Sequence, residues 1–186
     1  MKGIKMFILK YKRLINWISF LILILVLIAN TIFTIDQFKI IEEFNEIQSN
    51  LPLFTDSLVI FLFIGAQLIA GISVVLIETL FITFATNFMI EKKLKFSNYL
   101  FPILLANIFT VIIHSIIIKI FDFDNFSTIK WMAWSPVLPI LIAVFVYIYL
   151  SIVDKTIAIK VKVVLGILLF SVFYGLQVLV QLVANI

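Results

Sequence analysis

The sequence has no cysteine and a single histidine in 186 residues. Without thiols there is no disulfide, no thiolate metal site and no cysteine nucleophile. One histidine, with no H-E-x-x-H, G-x-S-x-G or phosphate-loop pattern, offers no catalytic set. An intramembrane aspartyl pair is missing too, because Asp36, Asp56, Asp122, Asp124 and Asp154 all fall at the edges of apolar runs. Asp122-x-Asp124 lacks the mid-loop glycine and the glutamate at position twelve that a calcium loop needs. No metal and no cofactor are therefore expected, and the chain does not read as an enzyme. Glycine is scarce, with five residues, and no internal repeat occurs. Both absences count against a repeat-built transporter with glycine-broken helices. Charge is scarce as well, at 13% of residues.

What fills the chain is apolar: 64% of residues are hydrophobic, and the mean hydropathy is +1.26. A soluble fold of this composition would have too little polar surface to cover itself. A membrane span needs about 20 apolar residues, and five runs qualify, at about 14–35, 57–90, 99–121, 135–153 and 163–184. The expected fold is all-α: a single membrane domain over 1–186, a polytopic integral membrane bundle of five transmembrane helices. The run 57–90 is too long for one perpendicular span and too short for two with a turn. It reads as one long helix that tilts or projects into the interface. The first run is longer than the apolar core of a signal peptide and reads as a retained helix. Between the first two spans, Phe38, Ile41, Phe44 or Asn45, Gln48 and Leu51 recur at steps of three and four. That pattern predicts an amphipathic outer helix over about 37–51, stopped near Pro52.

Charge is distributed unevenly. Lys2, Lys5, Lys10, Lys12 and Arg13 precede the first span, Lys92, Lys93 and Lys95 follow the second, and Lys155, Lys160 and Lys162 follow the fourth. The opposite side holds only Lys39, Lys119 and Lys130. The positive-inside rule then places the N-terminus in the cytoplasm and, after five spans, the C-terminus outside. The expected location is the cytoplasmic (plasma) membrane. Membrane lipids are expected partners, since a basic juxtamembrane segment attracts anionic lipid. Nucleic acid is not needed to explain an isoelectric point near 9.3.

Polar residues inside spans are the candidates for function. Glu78 lies deep within the second run, and an ionisable group at that depth is a functional-site hypothesis by default. Asn107, Thr110 and His114 share one face of the third span. In an antiparallel hairpin about residue 94, Glu78 comes level with Thr110, with Asn107 and His114 one turn to either side. These four form a candidate intramembrane cluster, either handling a proton or cation or locking two helices together. Gly65, Ala66, Ala70 and Gly71 look like close-packing positions. In the fifth span, Ser171, Tyr174, Gln177 or Val178, Gln181 and Asn185 form a polar stripe, of which Ser171, Tyr174, Gln177 and Gln181 are the expected partner interface.

From Ser57 to Phe121 the chain resembles the bacterial branch of the Yip (Ypt-interacting protein) family of five-span membrane proteins. The features that carry the resemblance are the long second span ending in lysines, the short turn, and Phe96-x-x-Tyr99-x-x-Pro102 opening the third span. The D-L-x-G-P signature of the eukaryotic branch is absent, so binding of a small GTPase is not expected. The resemblance implies a non-enzymatic accessory role beside other membrane machinery. The expected partner is another integral membrane protein, of the ABC permease type found in export or antimicrobial-peptide resistance complexes, or a second copy of the chain. The alternative is a small transporter or peptide self-immunity protein that uses Glu78.

Overall fold

The computed structural model describes residues 2–47, 55–90, 94–125, 129–154 and 156–184. All regular structure among them is helical: α1 (Lys2–Lys10), α2 (Lys12–Gln37), α3 (Ile40–Ile47), α4 (Asp56–Ile90), α5 (Leu100–Phe121), α6 (Val137–Val153) and α7 (Ile159–Ala184). Five helical segments are long and apolar enough to cross a membrane: α2, α4, α5, α7, and α6 taken together with the helical turns before it, over Lys130–Val153.

The helix ends follow local chemistry. Pro102 sits in the first turn of α5, and Pro139 in that of α6 behind Pro136 at its cap. Those turns have no intrahelical acceptor for the N–H that proline lacks. At its other end α5 closes on Asp122 in the left-handed region (φ 47°), where aspartate is better tolerated than most residues. The N–H of Phe123 then reaches back to the carbonyl of Ile118, at 3.2 Å.

Two boundaries differ from the sequence reading. The fifth span begins at Ile159, so Lys162, expected in the preceding turn, lies inside the helix with only 5% of its surface exposed. Its long aliphatic stem allows this, lying along apolar surface in the crevice between α6 and α7. The amphipathic helix expected over 37–51 starts later than that. Gln37 still belongs to α2, Lys39 turns the chain with φ 50°, and α3 begins at Ile40. Positions 48–51 lie outside the described residues. Phe38 and Ile40 are buried against Ile35, Ile118 and Met132, so this segment is anchored on the bundle end. A separate helix over Lys2–Lys10 was not expected, because those residues read only as a basic flank.

At the centre stands α5, whose Ile103, Leu104 and Ala106 are wholly buried. It packs chiefly against α2 on one side and α6 on the other, and α6 and α7 lie along each other. The core is completed by Leu23 and Leu27 of α2, Val75 and Ile82 of α4, Ile142, Val146 and Leu150 of α6, and Leu165 and Leu169 of α7. Helix α4 is peripheral over its first half. Only Val59 is buried before Val75, whereas Val75, Glu78, Thr79, Ile82, Ala85 and Thr86 are buried after it.

Each end of the bundle is tied by polar contacts. At the lysine-rich end the Lys12 ammonium donates to the Ser97 hydroxyl (2.8 Å) and to the side-chain oxygen of Asn98. Beside it the Asn16 amide donates to the Ser97 carbonyl at 3.0 Å. At the opposite end the Gln37 amide donates to the Phe123 carbonyl at 3.0 Å. The start of the first span and the turn after the second therefore share one end, as the alternation of five spans requires.

Candidate functional site: a buried carboxyl pair and a separate polar cavity

The polar residues of the spans fall into two groups. The first is a pair. Glu78 on α4 is 5% exposed, and its Oε2 accepts a hydrogen bond from the Asn107 amide of α5 at 2.7 Å. The same amide nitrogen donates to the Ile103 carbonyl at 3.0 Å, so both of its hydrogens are used. An unpaired carboxyl in lipid is costly, and this register gives Glu78 a neutral donor that belongs to the most embedded helix. Thr110, expected level with Glu78, turns its hydroxyl to the Ala106 carbonyl of its own helix at 2.8 Å. Direct contacts between α4 and α5 are fewer than those of α5 with α2 or α6. Of the three expected partners, Asn107 alone is hydrogen-bonded to Glu78.

His114 lies further along α5, on the wall of a cavity of about 430 Å³ that Glu78 and Asn107 do not line. Thr110 joins it there, with Asn30 and Thr34 of α2, Gln67 of α4, Ser135 before α6 and Gln177 of α7. The Nε2 of His114 is buried with no hydrogen-bond partner. Nearby, the Ser115 hydroxyl donates to Asn30 Oδ1 at 2.7 Å and ties α5 to α2. Asn30 and Gln67 were not singled out from the sequence. An amide in the middle of an apolar run is the signal that could have found them.

The polar stripe of the fifth span is divided. Ser171 is exposed, and Tyr174 is half-buried with its ring stacked on Phe170, the centroids 5.6 Å apart. Gln177 donates to the carbonyls of Ala133 (2.6 Å) and Ser135 (3.0 Å) and holds α7 against the turn that precedes α6. Gln181 is half-buried, and Asn185 lies outside the described residues.

The hydroxyls of Thr86, Tyr99 and Tyr149 come together from α4, the start of α5 and α6, a grouping the sequence does not show. The Tyr99 and Thr86 hydroxyls lie against each other, that of Tyr149 is buried without a hydrogen-bond partner, and the rings of Tyr99 and Tyr149 lie 6.2 Å apart. Tyr99 and Pro102 of the aromatic and proline pattern are both buried, so these positions serve the core where α5 begins.

The small residues of α4 also separate. A Cβ on Gly71 would come within 2.7 Å of the Leu27 side chain, so α4 and α2 approach closely there. A Cβ on Gly65 would meet nothing, and Ala66, Ala70 and Ser73 are exposed. No family model, no curated protein and no solved structure matches this chain.

Proposed function

We propose that the protein is a non-enzymatic membrane accessory protein that binds another integral membrane protein through the peripheral half of α4. The observation that carries this reading is the outward face at Ala66, Ala70 and Ser73. Their spacing, i, i+4 and i+7, places them on one side of the helix. Small residues let two helices approach closely, and such stripes are a common contact between helices in lipid. A helix meant only for lipid has no use for small side chains in a row, and these three stay exposed among the described residues. The lysine-rich end is proposed to face the cytoplasm and the membrane to be the plasma membrane. An ABC-type permease of an export or peptide-resistance complex is the partner class that the family resemblance implies.

The test is purification of the tagged chain at native expression in mild detergent, beside the variant Ala70→Leu. An integral membrane protein in stoichiometric amount with the parent chain, lost from the variant, is the expected result. A parent chain that elutes as a solitary monomer sinks the proposal.

A second reading, a small transporter or peptide self-immunity protein, is favoured by the polar cavity and by His114 with its unpartnered nitrogen. Glu78→Gln and His114→Gln separate the two. Coupled transport or proton handling is lost in at least one of them, whereas an accessory role survives both with copurification intact.

A further inference from the structure

We propose that the lysine-rich end carries a binding site for one anionic phospholipid, whose headgroup phosphate sits between α2 and the turn that leads into α5. A cavity of about 750 Å³ opens there. Lys10, Lys12, Arg13 and Lys95 line it together with Trp17 and Phe20, and no carboxylate lines it among the described residues.

The cavity is built by tertiary contacts. Lys12 holds the Ser97 hydroxyl and Asn98, and Asn16 holds the Ser97 carbonyl, so the turn is fixed against α2 at two successive levels. Lys12 is thereby a positioning residue. Lys10, Arg13 and Lys95 have exposed side chains. The sole ion pair among the described residues, Lys39 with Glu42, belongs to the opposite end of the bundle. Four like charges around one cavity repel one another, and an anion placed among them relieves that repulsion. A guanidinium matches two phosphate oxygens at once, and lysines supply the remaining charge.

The apolar wall selects the source of the phosphate. Trp17 is 58% exposed, and it stands one turn from Arg13 along α2 in the direction of the membrane interior. With Phe20 and Leu100 it continues the cavity as an apolar surface on which acyl chains lie. A free phosphate would leave that wall uncovered, whereas a phospholipid satisfies the charged and apolar parts together. Basic pockets between helices at the membrane surface recognise anionic headgroups in this way. Phosphatidylglycerol, which joins one anionic phosphate to two acyl chains and carries no cationic group, is the probe of choice.

Native mass spectrometry of the full chain in delipidated micelles, titrated with phosphatidylglycerol, phosphatidylcholine or inorganic phosphate, tests the site. The expected result is one retained phosphatidylglycerol, bound at least tenfold more tightly than phosphatidylcholine, with no inorganic phosphate retained. The variant K10Q/R13Q/K95Q should bring phosphatidylglycerol down to the phosphatidylcholine level with unchanged helicity. The single variant Trp17→Ala, on an exposed side chain, should weaken phosphatidylglycerol several-fold. Equal affinity for the two lipids overturns the proposal. So does retention of inorganic phosphate as tight as that of the lipid, or phosphatidylglycerol binding that survives both variants.

Discussion

The two halves of α4 belong to one unbroken helix and lie in unlike places. From Asp56 to Val74 the helix offers one buried residue, Val59, while Phe61, Ile69, Ala66 and Ala70 are exposed. From Val75 to Ile90 it turns Glu78, Thr79, Ile82 and Thr86 into the bundle. Polarity does not separate them, because the packed half holds the carboxylate and the buried threonines. The difference lies in what stands opposite. Asn107, on the most embedded helix, gives Glu78 a donor. Thr79 returns its own proton to the Val75 carbonyl at 2.6 Å. Inside a membrane the apolar positions gain little by leaving lipid, so polar satisfaction and close packing decide which face turns inward.

This contrast can be broken by experiment. The largest effect is expected from truncating the packed half. Ile82→Ala removes a wholly buried side chain and should cost about 2 kcal/mol of stability in micelles, whereas Phe61→Ala, 70% exposed, should stay within about 0.5 kcal/mol. Equal losses in a reversible unfolding assay would erase the distinction between the halves.

Next comes the glycine pair. Gly71→Val drives a side chain into Leu27 and should cost about 1–2 kcal/mol, while Gly65→Val meets open space and should not destabilise. A double change, Gly71→Val with Leu27→Ala, should recover part of the loss.

Smaller still is the interhelical bond. Glu78→Leu leaves Asn107 with Ile103 as its one acceptor and should cost about 1 kcal/mol. Glu78→Gln, which can still accept from Asn107, should cost less. A Gln variant as unstable as the Leu variant would mean that the pair depends on the carboxyl's charge. Ala70→Leu should likewise leave stability within about 0.5 kcal/mol, although this is the variant expected to lose the partner.

Several features were legible in the residues. Apolar length located five spans to within a few positions, and the prolines at 102, 136 and 139 marked where two of them begin. Glu78 and Asn107 could be paired because a short turn fixes the register of neighbouring helices. His114 could not be excluded from that pair by register, since faces as well as levels must match. The amphipathic helix after the first span was misplaced at its start because Phe38 and Ile41 fit an amphipathic pattern whether they touch lipid or the ends of α2 and α5.

By itself the sequence determined the class of molecule and its two unlike ends, because hydropathy and lysine placement are sums over residues that no packing can change. The tertiary structure alone decided which small residues pack, Gly71 on Leu27 with Ala66 and Ala70 left outward. It also decided that Glu78 meets Asn107 and that the lysine-rich end closes into a cavity. Apolar residues run all round α4 and carry no face signal. Lys12 and Ser97 become neighbours across 85 residues only when α2 and α5 pack.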